Sequence, residues 1–110
     1  MERLILWDVD GTLLTTDGIA AAAMREAMRE VIGPSAPMAR TSYAGKTDWQ
    51  IIRESLPAVS PAEVDERLHE FTAAYLSRLL AQRADLVARS RVFPGVPAVI
   101  EALSARAHQA

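Results

Sequence analysis

The sequence predicts a mostly helical chain with one buried β-strand near its start. Residues 4–9 are apolar at five of six positions and show no clear alternation, as expected of a strand covered on both faces in a parallel sheet. After them, apolar residues recur at helical spacing behind sequence signals for helix starts. No second stretch reads clearly as a strand, so the predicted strand lacks a partner for its backbone hydrogen bonds.

The composition indicates a single domain with a small-molecule partner. The chain has 110 residues, half of them apolar, and its 12 basic and 14 acidic residues give a net charge of −2. This balance does not favour a nucleic acid or a membrane surface as partner. The absence of cysteine excludes disulfides and thiolate metal sites. The apolar run at residues 4–7 is too short for a membrane span and Glu2 stands where a secretory signal would be basic, so we expect a cytoplasmic protein.

Two helices are predicted in the first half of the chain. The first covers residues 19–32, with Met24 and Met28 on its apolar side, and ends at Gly33. A capping box that starts at Thr47 opens a second, short helix, which a proline terminates.

The longest helix is predicted to begin at Pro61. Ser60 supplies the N-cap and Glu63 completes a capping box. Apolar residues then follow at helical spacing: Val64, Leu68, Phe71, Tyr75 and Leu79. A last helix is predicted to begin near Pro97, and three of its residues are expected to face a core: Val99, Ile100 and Leu103.

A pair of carboxylates at the end of the predicted strand marks the candidate site. Asp8 and Asp10 would project to the same side of an extended chain, at the carboxyl end where open α/β sheets bind ligands. Two such carboxylates favour a hard cation such as Mg²⁺ or the sharing of a proton. Gly11 allows a sharp turn, and Thr12 offers a hydroxyl and N–H groups to an anion such as phosphate.

The aspartate pair is also compatible with a purely structural role. Asp8 and Asp10 would suit a simple turn or a helix cap at the end of a strand. A calcium-binding EF-hand loop is excluded, because Leu13 and Ile19 stand where that loop requires glycine and glutamate.

Residues 8–14, "DVDGTLL", closely resemble the first motif of the haloacid dehalogenase superfamily of phosphatases and related hydrolases. Residues 45–52, "GKTDWQII", and residues 92–103, "VFPGVPAVIEAL", are similar to the cap region and post-cap segment of its phosphoglycolate-phosphatase-like members. The resemblance extends over essentially the whole chain. It implies an α/β fold with a Rossmann-like core and a helical cap inserted just after the first strand.

This resemblance divides the chain into three parts. Residues 1–17 would form the first strand and motif loop, residues 18–89 the helical cap, and residues 90–110 the start of the remaining core. The strand with a phosphate-binding serine or threonine, the lysine and the acidic pair that should follow do not occur in the sequence. We therefore expect an N-terminal portion of an enzyme, inactive when alone.

The resemblance also implies roles for the two aspartates. Asp8 matches the nucleophile that forms an aspartyl-phosphate, and it matches a Mg²⁺ ligand. Asp10 matches the general acid and base, with its backbone carbonyl as a second Mg²⁺ ligand. Haloacid dehalogenases proper lack this second aspartate, so Asp10 points to phosphoryl transfer instead of cleavage of a carbon–halogen bond.

Lys46 is the candidate in the cap for contact with a substrate anion. It follows the flexible Gly45, although a lysine ahead of a helix is also commonly just solvated. His69 and His108 lie in polar helical stretches and are predicted to be surface residues.

Two functions of different class are compatible with these patterns. The first is a Mg²⁺-dependent phosphohydrolase that acts on a small phosphorylated metabolite. The second is a non-catalytic, cap-like helical module that binds a partner or self-associates through apolar surface that the missing sheet would cover. The cap resemblance leaves the substrate itself open.

Overall fold

A computed structural model of the chain describes residues 2–106 and is mostly helical, as predicted. Its five helices are α1 (Ile19–Ile32), α2 (Asp48–Ser55), α3 (Pro61–Ala81), α4 (Arg83–Arg89) and α5 (Val96–Ser104). Two short strands, β1 (Leu14–Thr15) and β2 (Arg91–Val92), pair in antiparallel fashion, with Leu14 opposite Val92.

The starts of α2 and α3 are set by the capping residues that the sequence predicts. The Thr47 hydroxyl accepts a hydrogen bond from the Gln50 N–H at 3.3 Å, and the Ser60 hydroxyl accepts one from the Glu63 N–H at 3.2 Å. Each bond satisfies an N–H group that has no partner within the helix. The predicted α1 is also confirmed, and Gly33 ends it with a φ of 118° that favours glycine.

The hydrophobic core lies between α1, α2 and α3. Phe71 of α3 and Met28 of α1 are completely buried, and Ile52 brings α2 into the same cluster. Polar contacts also join α1 to α3, since the Arg78 guanidinium lies 2.9 Å from a Glu26 carboxylate oxygen. These three helices therefore pack around one hydrophobic core.

The prediction of a strand at residues 4–9 is wrong. These residues have no regular secondary structure, and their large apolar side chains are exposed, from 44% at Trp7 to 83% at Leu6. A strand needs a neighbour for its backbone groups, and among residues 2–106 only β1 and β2 form a sheet. The apolar composition alone therefore does not make this segment a strand.

Two further differences concern the second half of the chain. Val99 and Ile100 of α5 are exposed instead of facing the core, and Leu103 is only half-buried. Helix α4 was also not predicted from the sequence. That helix carries no apolar stripe that reaches the core, because Leu86 is half-buried and Val87 is exposed.

No helix within residues 2–106 has the length and apolar character needed to cross a membrane.

Candidate active site

The motif loop, residues 8–14, forms a tight turn around one backbone carbonyl. The carbonyl of Val9 accepts hydrogen bonds from the N–H groups of Thr12 at 3.2 Å and Leu13 at 2.9 Å. The Gly11 N–H donates to the Leu14 carbonyl at 2.9 Å. Gly11 has a φ of 77°, in the left-handed region that a side chain would strain. The turn thus fixes the backbone between Asp8 and Leu14.

Residues far along the chain hold this turn in place. The Phe93 N–H donates to the Leu13 carbonyl at 3.0 Å, next to the pairing of β1 with β2. Just beyond, Arg89 Nη2 donates to Asp17 Oδ2 at 2.8 Å, and Arg89 Nε donates to the same oxygen at 3.1 Å. The segment that follows the motif loop and the segment that follows α4 therefore run side by side.

The motif loop borders a cavity of about 300 Å³ that α1, α2 and α3 complete. Four of the five predicted site residues line it, namely Asp8, Asp10, Gly11 and Lys46. The fifth, Thr12, is not among the lining residues; its hydroxyl oxygen lies 3.5 Å from Asp8 Oδ2, the long limit for a hydrogen bond. The structure thus brings the aspartates of the loop and the lysine ahead of α2 to one cavity.

Lys46 is held by a carboxylate of α2. Its ammonium donates hydrogen bonds to Glu54 Oε2 at 2.5 Å and to the Thr41 hydroxyl at 2.9 Å. The hydrogen bonds that Glu54 accepts from Lys46, from the Gln50 amide and from the Thr41 hydroxyl lower the pKa of Glu54 to about 2, with Lys46 as the largest cause. The Lys46 charge at the cavity is therefore already paired with a carboxylate.

Tyr75 and Asp48 also line this cavity, although neither was predicted from the sequence as a site residue. Tyr75 lies at core spacing on α3, but its half-buried ring also reaches the cavity. Burial raises the pKa of the Tyr75 phenol, and the charges of Asp10 and Asp48 raise it further. The phenol is therefore a neutral hydrogen-bond donor at neutral pH.

The charges around the cavity favour a cation. Three carboxylates line it, those of Asp8, Asp10 and Asp48, whereas the Lys46 charge is offset by Glu54. A cation that enters the cavity would therefore be attracted by its net negative lining.

A family model for haloacid dehalogenase-like hydrolases matches residues 5–110. The chain belongs to the haloacid dehalogenase-like hydrolase family. A mostly helical chain with a small sheet is consistent with part of an α/β core of this family together with a helical cap. No curated protein and no solved structure matches the chain significantly.

Haloacid dehalogenase-like hydrolases generally use Mg²⁺. Among the described residues, no three histidine, cysteine, aspartate or glutamate side chains are grouped closely enough to hold a metal. Mg²⁺ is usually held by one or two carboxylates and several waters. The carboxylate oxygens of Asp8 and Asp10 are therefore ligands of the type that Mg²⁺ prefers.

Of the two histidines, His69 is described by the structure and does not line this cavity. His69 is exposed on α3, as predicted. His108 lies outside the described residues.

Proposed function

We propose that this chain carries the nucleophile and the general acid/base of a phosphohydrolase that acts on a small phosphomonoester in the cytoplasm. The observation that supports this is the position of Asp8 and Asp10, which lie on either side of Val9 in the motif loop and line one cavity. Membership of a hydrolase family agrees with the proposal.

In the first step, a carboxylate oxygen of Asp8 attacks phosphorus and the ester P–O bond breaks. The leaving oxygen takes a proton from the Asp10 carboxyl group, so the alcohol departs neutral. An aspartyl-phosphate remains on Asp8.

In the second step, the Asp10 carboxylate accepts a proton from a water molecule whose oxygen attacks the same phosphorus. The bond between phosphorus and the Asp8 oxygen breaks, which releases inorganic phosphate and restores the Asp8 carboxylate. Asp10 regains its proton and is ready for the next cycle.

Asp8 and the backbone carbonyl of Asp10 would hold Mg²⁺. When bound, this ion offsets the negative charge of the phosphoryl oxygens and of the attacking carboxylate. The chain's own residues position the two aspartates through the turn at Val9.

We also propose that residues 18–89 serve as a cap over this site and residues 1–17 and 90–110 as part of its core. Among the described residues, Lys46 is the one cationic residue that lines the cavity, and it forms an ion pair with Glu54. We propose that further residues, outside this sequence, bind the phosphoryl group. The similarity of residues 45–52 to phosphoglycolate-phosphatase-like caps supports a substrate with a second anionic group.

The test uses the natural protein that contains this sequence, assayed for hydrolysis of p-nitrophenyl phosphate with Mg²⁺. We expect Asp8→Asn to abolish turnover, because an amide is a far poorer nucleophile. Asp10→Asn should lower kcat by about 10²–10⁴-fold, the usual contribution of general acid–base catalysis. Asp85→Asn, on exposed α4, is the matched control and should leave turnover unchanged. Retained turnover in Asp8→Asn would overturn the proposal.

A second candidate function is self-association of a non-catalytic module. It is favoured by the apolar run at residues 4–9, whose side chains are exposed. If copies of the chain associate through this run, Leu6→Asp should shift the mass in solution towards the monomer. Val87→Asp, at an equally apolar exposed position of α4, should not. A wild-type protein that is monomeric at all concentrations would rule this function out.

A further inference from the structure

A second and larger cavity, of about 590 Å³, lies between α1 and residues 38–43. Three of its seven lining residues are arginines, Arg25, Arg29 and Arg40, all of them exposed, and no aspartate or glutamate lines it. Tyr43 is the one residue that lines both this cavity and the candidate active site. We call this second cavity the arginine cavity.

The three arginines of the arginine cavity have no ion-pair partner among residues 2–106. Three other arginines are paired: Arg67 with Glu63 and Glu70 of its own helix, Arg78 with Glu26 and Glu30, and Arg89 with Asp17. Arginine stays charged at any pH that the protein experiences. Three unpaired positive charges thus lie around one cavity, although the chain as a whole has a net charge of −2.

The charges on α1 are sorted between two faces. Glu26 and Glu30 lie on the face towards α3, where both contact Arg78. Arg25 and Arg29, four residues apart, lie on the face towards the arginine cavity. Like charges at this spacing destabilise a helix. An anion in the cavity would offset this repulsion.

A carboxylate does lie near the cavity, but it is already neutralised. The hydroxyl of Thr41, a lining residue, donates a hydrogen bond to Glu54 at 3.0 Å. The same Glu54 oxygen accepts a hydrogen bond from Lys46. Glu54 therefore does not serve as the partner of the three arginines.

We propose that the arginine cavity binds a small polyanion, a ligand with at least two phosphate or carboxylate groups. Guanidinium groups bind such groups through paired, charge-assisted hydrogen bonds, and Tyr43, which also lines the cavity, carries a hydroxyl group. A volume of about 590 Å³ is within the range of ligand pockets. This anion is distinct from the phosphoryl group at Asp8, so the site does not depend on the proposed hydrolysis.

The test is calorimetric titration of the natural protein with tripolyphosphate and, separately, with propane-1,2,3-tricarboxylate. Both titrations are made in EDTA without Mg²⁺, so that a metal at Asp8 does not contribute. We expect the double variant R25Q/R29Q to weaken binding by about tenfold or more, because it loses charge-assisted hydrogen bonds. The control R83Q/R91Q removes the same charge from exposed positions outside the cavity and should change the affinity by about twofold or less.

Thermal unfolding provides a readout that separates ligand binding from a structural role. Without ligand, R25Q/R29Q should unfold at the wild-type temperature or slightly above it, because the like-charge pair is gone. With tripolyphosphate, wild type and control should be stabilised and R25Q/R29Q should not.

The outcomes are distinct. Binding of either anion that depends on Arg25 and Arg29 supports the proposal, and the anion that binds identifies the group as phosphate or carboxylate. Binding of neither anion, or equal weakening by the two double variants, overturns it. Asp8→Asn should leave the anion affinity measured in these titrations unchanged. The hydrolase proposal is tested by turnover, so the two proposals can fail independently.

Discussion

The Lys46 ammonium, which lines the candidate active site, and the Glu54 carboxylate form an ion pair at 2.5 Å. Thr41 and Gln50 add hydrogen bonds to the same carboxylate. A lysine ahead of a helix is often free in solvent, whereas this one is half-buried and has a defined partner. Any substrate anion that contacts Lys46 has to compete with Glu54.

The Glu54 pKa of about 2 predicts a pH dependence of stability. The pKa of Glu54 is lower in the folded chain than its usual 4.5, so its charged form stabilises the fold above about pH 4.5. This contribution should disappear as the pH falls from about 4.5 to about 2. Glu54→Gln should therefore unfold at a lower temperature than wild type at pH 7, and the difference should vanish near pH 2. Thermal unfolding followed by circular dichroism measures both; a difference that is constant with pH would contradict the prediction.

Lys46→Ala tests whether the engaged lysine also contacts substrate. If Lys46 binds a second anionic group, KM for a phosphomonoester that carries a carboxylate should rise by about tenfold. KM for p-nitrophenyl phosphate, which has no such group, should change by about twofold or less. Equal effects on both substrates would place Lys46 outside the binding site and leave it a structural partner of Glu54.

Phe71→Ala should destabilise the core more than any change at an exposed apolar residue of the same helix. Phe71 is 0% exposed, and removal of a buried phenyl ring costs about 3–5 kcal/mol of unfolding free energy. Leu80→Ala, at the exposed end of α3, should change the unfolding free energy by about 0.5 kcal/mol or less. Urea denaturation of the two variants gives the comparison. Similar losses would mean that the core does not lie between α1, α2 and α3.

Ser55→Ala should keep or raise stability, because the buried Ser55 hydroxyl has no hydrogen-bond partner among the described residues. Removing an unsatisfied buried hydroxyl is expected to raise the unfolding free energy by about 1 kcal/mol.

Ser60→Ala is the contrasting variant. It removes the same type of group from the N-cap of α3, where the hydroxyl accepts a hydrogen bond. This change should lower the unfolding free energy by about 1 kcal/mol. The two serines should therefore respond in opposite directions under the same denaturation assay.

Local features of the fold could be predicted because they depend on residues close in sequence. The hydroxyls of Thr47 and Ser60 bond to N–H groups three residues further on, so residue type and spacing were sufficient. The bounds of α1 followed from an apolar face and a glycine at its end. The aspartates of the candidate site were visible for the same reason, since Asp8 and Asp10 flank one turn.

Features that depend on distant residues could not be predicted in this way. Residues 4–9 have the composition of a strand, but a strand also requires a neighbour, which composition does not reveal. The arginine cavity joins Arg25 and Arg29 of α1 to Arg40 of a later loop. Tyr75 matched the core spacing of α3, and only the packing of α3 shows that the ring also reaches the cavity.

The ion pair between Asp17 and Arg89 joins the two ends of the helical segment at residues 19–89. Both ends of that segment thus meet at one point on the surface, in the manner of domains that tolerate insertion into another protein. A segment attached in this way can be lengthened, shortened or exchanged for another while the residues on either side keep their positions. The motif loop with Asp8 and Asp10 lies outside this segment, so a change in the length of the segment need not alter the loop.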